Sequence, residues 1–139
     1  MPQDTPYGAY QTAGIQTADQ RTLIVMLYDG LIRFLKKAEQ KIEAQDIEGA
    51  HNYLVRSREI VAELMATLNP EKGGEVGRNL KRLYVYVFDK VVEANLYKDT
   101  DRIREAVKIM STLREGWASI KTQTAGGESA ERKKISVTL

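Results

Sequence analysis

Few residues in this chain have the chemistry to make it an enzyme, and the most suggestive group is Glu48-Gly-Ala-His51. Glu-x-x-His puts a carboxylate and an imidazole on one helix face, the spacing that supplies iron or manganese ligands in carboxylate-bridged helical bundles. Such a centre needs a second Glu-x-x-His and two further inward glutamates, whereas His51 is the only histidine. A helical projection centred on Leu54 and Val61 also turns Glu48 away from the apolar stripe. Gly73-Gly74-Glu75 could open a helix onto an anion, but no Walker or dinucleotide fingerprint surrounds it and Glu75 would repel phosphate. It reads as a turn followed by a helix start. With no cysteine there is no thiolate for metal binding, disulfide formation or nucleophilic attack, and nothing places a nucleophile beside the lone histidine. The acidic residues fall mostly on polar helix faces, where they pair with Lys or Arg one turn away. The chain is therefore read as a non-enzyme with no metal site and no cofactor.

Composition narrows the class further. The 139 residues, 42% of them apolar, suffice for one core of moderate size. A formal net charge of +2, with both signs interspersed, lacks the concentrated basic face that nucleic acid requires. Lys36-Lys37 and Arg132-Lys133-Lys134 read as solvated surface. No stretch approaches the ~18 to 20 apolar residues of a membrane span, and Met1 to Gln20 lacks the basic and apolar regions of a secretory signal. A cytosolic protein without membrane insertion is expected.

The elements that would have to position any site are helical throughout. Residues 1–18 carry two prolines, two glycines and small polar residues around Tyr7, Tyr10 and Ile15, and read as a mobile N-terminal arm. Thr17-Ala-Asp-Gln20 has the form of a capping box. The first helix is predicted from about Asp19 to Ala44, burying Leu23, Leu27, Leu31, Phe34, Ala38 and Ile42, with Gly30 marking a close approach. Asp46 caps a second helix to about Leu68 that buries Ile47, Ala50, Leu54, Val61, Leu64, Met65 and Leu68, and Asn69-Pro70 ends it. A third from about Glu75 to Tyr97 buries Leu80, Tyr84, Val87, Phe88 and Val91. A fourth, capped by Asp99 or Thr100, runs to about Thr122 through Ile103, Ala106, Val107, Met110, Leu113, Trp117 and Ile120. Residues 123–139 read as a flexible, disordered tail. Four helices of similar length with short connections predict an all-α fold: an antiparallel up-and-down four-helix bundle over residues 19–122.

Some apolar residues lie off these stripes. Val25 and Ile32 project opposite the buried face of the first helix, Tyr53 and Ile60 form a flanking line on the second, and on the third Leu83 flanks the core while Tyr86 and Tyr97 point away. Together with an arm bearing Tyr7, Tyr10 and Ile15, such a surplus suits a groove for partner helices, and an arm lying over the groove would act as a competitive lid. A metal-dependent bundle enzyme and a bundle that assembles with itself are the competing readings.

Several runs then look familiar together: Ala9-Tyr10, Thr17-Ala18, Leu23-Ile-Val-Met-Leu-Tyr-Asp-Gly30, Lys72-Gly-Gly-Glu75, Leu83-Tyr-Val-Tyr86, Ala94-Asn95 and Trp117. In this order, from about Tyr7 to Ile120, the sequence resembles FliS, the family of flagellin-specific export chaperones. The resemblance implies a helical bundle that binds the otherwise disordered C-terminal segment of flagellin as amphipathic helices, prevents premature polymerisation in the cytosol, and is delivered with its client to the flagellar export gate. It makes Tyr10 the leading arm contact, with Tyr7 and Ile15 beside it. Tyr28, Asp29, Gly30 and Asn95 match family motifs. Projection puts Tyr28 beside the core, Asp29 outside it and Asn95 near it, so these are read as structural. For the client groove, projection favours Tyr53, Ile60, Leu83 and Tyr86. The first helix opens Ala18-Asp19-Gln20 where many relatives carry serine-proline, a departure that alters the cap.

Overall fold

A computed structural model describes the backbone of residues 20–69 and 71–125, and side chains of this range as far as residue 119. Four helices occupy it: α1 (Gln20–Glu43), α2 (Ile47–Ala66), α3 (Gly74–Tyr97) and α4 (Thr100–Ala125). There is no strand among the described residues. The arm, the Thr17 capping box and the tail lie outside this range, except that α4 runs three residues past the predicted end of the bundle.

The connections are short and locally determined. Asp46 accepts the Gly49 N–H at 2.9 Å and pairs with Lys41 at 3.3 Å, so one carboxylate satisfies an orphan helix donor and tethers α2 to α1. A Cβ at Gly49 would lie 2.6 Å from Asp46 Oδ2, so the glycine inside Glu48-Gly-Ala-His51 serves the cap. Between α2 and α3, Asn69 Oδ1 accepts from the Glu71 and Lys72 N–H groups at 2.9 and 3.0 Å, and Gly74 takes φ 60°, a conformation glycine adopts without steric cost. Lys98, at φ 50°, closes α3, and Asp99 accepts the Asp101 N–H at 2.9 Å as α4 begins.

The Gly49 bond, and then Lys41, hold the Asp46 carboxyl below the usual carboxylate range. A depressed folded pKa contributes stability above the unfolded value of about 4, lost as pH falls through the folded one. Asp46→Ala is therefore expected to lower the melting temperature at pH 7, and the gap from the parent should close towards about pH 3. Thermal melts followed by circular dichroism across that range check it.

Packing closes the four helices into a ring in which α1 and α3 each contact both α2 and α4. Paired residues give the directions: on the α1/α4 seam Arg104 meets Glu39 and Arg114 meets Asp29, and on the α3/α4 seam Tyr86 meets Glu105 and Arg102 meets Glu93. Rising numbers on one helix meet falling numbers on the next, so neighbours are antiparallel. This is the up-and-down bundle that the short connections predict.

The core follows most of the predicted stripes, with Leu27, Leu31, Leu54, Val61, Leu64, Val87, Ile103 and Met110 wholly buried. Several predictions are corrected. Phe34, Ile42, Met65, Leu68, Phe88, Val107 and Leu113 are only half-buried, while Ile24 and Leu35 fill the interior. Ile47, the first residue of α2, is 51% exposed. Val25 and Ile32 do not face outward but pack against the core. Tyr28, projected beside the core, is at 0% exposure inside it. For Tyr28, Val25 and Ile32 the reason is that α1 has neighbours on two sides, so its buried sector is wider than one stripe.

Tyr28 anchors a polar cluster at the centre. Its hydroxyl accepts from Trp117 Nε1 at 2.9 Å and lies 2.6 Å from the Tyr84 hydroxyl, and the Tyr28 ring meets Tyr84 and Trp117 edge-on at 6.4 and 6.5 Å. One hydroxyl thus links α1, α3 and α4. Burial pushes the Tyr28 phenol up to about 12, against smaller opposite effects of its hydrogen bonds, and drives Tyr84 up as well. Buried hydroxyls that bond each other satisfy their polarity without water and fix the relative rotation of the helices.

Candidate functional site

What the bundle leaves uncovered is concentrated on α3. One side of this helix holds Leu80, Tyr84, Val87, Val91 and Ala94 in the core. At 100° per residue, Val85, Val92 and Leu96 then fall on the flank towards α2, and Val76, Leu83, Tyr86 and Tyr97 on the flank towards α4. All seven are exposed, Leu96 and Tyr97 by 69% and 64%. A helix with apolar residues on both flanks and no covering layer is a docking ridge between two furrows.

On the α4 side the furrow is partly bridged. Tyr86 donates its hydroxyl to Glu105, Lys90 sits 5.1 Å from the Tyr86 ring centre, and Arg102 lies over Tyr97 at 5.3 Å while bonding Glu93 at 2.9 Å. The hydrogen bond to Glu105 raises the Tyr86 phenol pKa, since ionising it would set two negative groups together. Leu83 lies one turn along α3, away from this bridge.

On the α2 side the furrow widens at both ends. One recess of about 410 Å³ lies between the start of α2 and the end of α3, with Leu54, Val91, Val92 and Leu96 as its apolar walls. Asn95 sits at its rim. Its Oδ1 accepts from Lys98 Nζ at 2.9 Å, and its Nδ2 lies 3.0 Å from His51 Nδ1. His51 Nδ1 also lies 3.2 Å from Asn95 Oδ1, so the amide holds the imidazole at the rim, in a direction set by the ring tautomer. A second recess of about 380 Å³, at the opposite end, is lined by Met65, Leu68, Gly77 and the Gly73-Gly74 turn.

The structure sorts the residues singled out from sequence. Leu83 and Tyr86 share the α4-side flank of α3. Tyr53 is half-buried on the other side of α2, with its ring 5.7 Å from Phe34 of α1, and is not brought together with them. Ile60 is corrected outright: at 0% exposure it belongs to the core, because α1 covers the sector of α2 that a single-stripe projection leaves open. Tyr7, Tyr10 and Ile15 lie outside the described residues. Of the motif positions, Gly30 is buried and Tyr28 carries the central polar cluster. Asp29 accepts from Arg114 Nε at 2.8 Å at the surface, and Asn95 is a rim residue rather than a core amide. Val85, Val92 and Leu96 went unrecognised, although their i, i+7, i+11 spacing marks a second stripe on α3. The Glu48 and His51 side chains are exposed, and no group of three or more His, Cys, Asp or Glu among the described residues could hold a metal ion. No described helix is long and apolar enough to cross a membrane.

Known proteins match this arrangement in sequence and in fold. The sequence pattern of the family described as "Flagellar protein FliS" matches residues 3–124. The flagellar secretion chaperone FliS of Campylobacter jejuni is 37% identical over 122 residues, covering 86% of this chain and 94% of that protein. The Bacillus subtilis flagellar secretion chaperone FliS is 33% identical over 112 residues, covering 81% and 83%. A crystal structure of a bacterial flagellar chaperone superposes with a TM-score of 0.72 at 18% identity, covering 84% of this chain and 95% of that one, which shows the shared fold. With most of its length matched by the family pattern and by both relatives, this chain belongs to the FliS family of flagellar secretion chaperones.

Proposed function

We propose that the protein is a cytosolic, non-enzymatic chaperone that binds the C-terminal segment of flagellin as amphipathic helices, keeps it from polymerising prematurely, and presents it to the flagellar export gate. The observation that carries this reading is the exposed apolar ridge of α3, in a chain whose relatives are flagellar secretion chaperones. A disordered client loses chain entropy when it orders on such a ridge, and burial of its apolar faces offsets that loss. The balance gives a complex that holds and can still be released. Residues 1–18, with Tyr7, Tyr10 and Ile15, are proposed as an arm that competes for the same surface, and residues 126–139, beyond the end of α4, as a flexible tail.

Isothermal titration with a peptide of the flagellin C-terminal segment tests this. Binding at micromolar concentration or tighter, with a gain in peptide helicity, is the expected result, and no binding at that concentration overturns the proposal. Removing residues 1–16 should tighten binding if the arm competes. Sedimentation with and without peptide separates this function from a bundle that assembles with itself.

A further inference from the structure

The seam between α1 and α2 carries carboxylates that the described residues leave unmatched. Tyr53, Arg56, Ile60 and Glu63 follow one another at i, i+3, i+7 and i+10, a single stripe of α2 that faces α1. At one end of the seam the half-buried rings of Phe34 and Tyr53 pack together, and Arg33 and Arg56 both lie against Phe34, 5.5 and 5.9 Å from its ring centre. At the other end Glu59 and Glu63 stand one turn apart, the first exposed and the second half-buried. Partial burial, and then the Glu59 charge, raise the pKa of the Glu63 carboxyl. Neither carboxylate has an ion-pair partner among the described residues: Arg56 is drawn onto Phe34, and Arg58 turns to the recess on the α3 side.

The chain holds a counterpart of its own. Arg114 of α4 meets Asp29, and Lys41 of α1 meets Asp46, so the end of α4, the start of α1 and the end of α2 share one end of the bundle. Residues 126–139 therefore leave α4 from the end that bears Glu59 and Glu63. They include Arg132-Lys133-Lys134, which the sequence alone presents as solvated surface, followed by Ile135-Ser-Val-Thr-Leu139. At about 3.3 Å per extended residue, the chain from Ala125 to this triplet spans about 23 to 30 Å, enough to pass over α1, whose packed neighbours lie about 8 to 10 Å away. The N-terminal arm starts from the same end, but residues 1–19 contain no Lys or Arg. Other carboxylates near this end offer less: Glu71 and Glu75 have Lys72 and Arg78 within three residues, and Glu115 is a single charge.

We propose that the chain's own C-terminal tail straps the α1/α2 seam, with Arg132, Lys133 and Lys134 on Glu59 and Glu63, and Ile135, Val137 and Leu139 against the Phe34 and Tyr53 rings. The two spacings agree. Glu63 to Tyr53 is about 15 Å along α2, and Lys134 to Leu139 is about 17 Å of extended chain. Alternation in an extended segment puts the three apolar side chains on one face, towards the rings. Exposed ion pairs are individually weak, but the tether holds the triplet at an effective concentration on the order of millimolar, so the strap exchanges between docked and free states. It lies off α3 and leaves the exposed ridge of that helix open.

The chain has no cysteine, so Ser136→Cys gives the full-length protein a single site for a nitroxide spin label. Amide resonances of residues 26–34 and 53–63 should broaden, and those of residues 83–96 should not. The broadening should fall at least about 5-fold in 1 M salt, where screening acts within about 3 Å. Glu59→Lys with Glu63→Lys should reduce it by a similar factor, as should Arg132→Glu with Lys133→Glu and Lys134→Glu. Combining the two sets should restore it, because the charges are exchanged and the spacing is kept. Circular dichroism establishes that each variant is folded. Broadening centred on another face, broadening indifferent to either charge reversal, or no restoration in the folded combined variant overturns the proposal. So does equal broadening of an isotope-labelled chain by a separate spin-labelled chain, which would assign the seam to a second copy.

Discussion

Replacing Trp117 with alanine is expected to destabilise the bundle by about 3 to 5 kcal/mol, the usual cost of truncating a large buried aromatic. That is a large share of the ~5 to 15 kcal/mol that holds a domain of this size together. The indole closes the α4 side of the core, and its N–H is satisfied by the Tyr28 hydroxyl. Its removal leaves a cavity and deprives Tyr28 of a donor, so α4 should loosen first. Tyr28→Phe isolates the polar part of this effect: the ring remains, but Trp117 Nε1 loses its acceptor and Tyr84 its partner, for about 1 to 3 kcal/mol. Urea unfolding of the three proteins measures both values. A loss under 1 kcal/mol for Trp117→Ala would show that the cluster does not hold α4.

The same cluster sets a limit in alkali. A phenol whose folded pKa is raised gives stability that is fully present below the unfolded value of about 10 and is lost as pH rises towards the folded one, about 12 for Tyr28. Above pH 10 the unfolded chain releases protons that the folded one retains. Stability should therefore fall over that window, and fall less steeply in Tyr28→Phe. Parallel slopes in the two proteins would contradict the assignment.

The second large effect separates packing from recognition. Ile60→Ala should cost about 2 to 5 kcal/mol of stability, because Ile60 is wholly enclosed, while leaving the affinity of the folded protein for the flagellin peptide unchanged. Leu83→Glu should do the reverse. Leu83 is exposed on α3, where substitutions ordinarily change stability by no more than about 0.5 kcal/mol, but a carboxylate in a buried interface should weaken the peptide at least about 10-fold. Urea unfolding and titration on each variant give the two readouts. Weaker binding by folded Ile60→Ala, or unchanged binding by Leu83→Glu, would show that the client uses a different face.

How much of this was legible beforehand can be judged from particular residues. Asp46 announced itself as a cap because its role is local: a carboxylate three residues before a helical N–H needs no knowledge of the rest of the fold. Leu27, Leu54 and Val87 were legible because apolar spacing reports the buried face directly. Ile60 and Tyr28 were misplaced because their burial depends on which neighbour covers the edge of the stripe. The candidate site divides similarly. Leu83, Tyr86 and Tyr97 stood out as apolar residues off the stripe, while Val92 and Leu96 gain meaning only beside Leu54 and Arg58 of α2.

By itself the sequence determined four helices, the Asp46 cap, the turns between helices, a core of aliphatic residues and a set of motifs that resemble the FliS family. These follow from interactions within a few residues or from periodicities that repeat along one helix. The tertiary structure alone decided that a single hydroxyl ties three helices together, that Ile60 is core while Leu96 is surface, and that Asn95 of α3 meets His51 of α2 at the rim of a recess. Each of these depends on which faces of two or three helices meet, and helix rotation within a bundle is fixed by packing between segments distant in sequence.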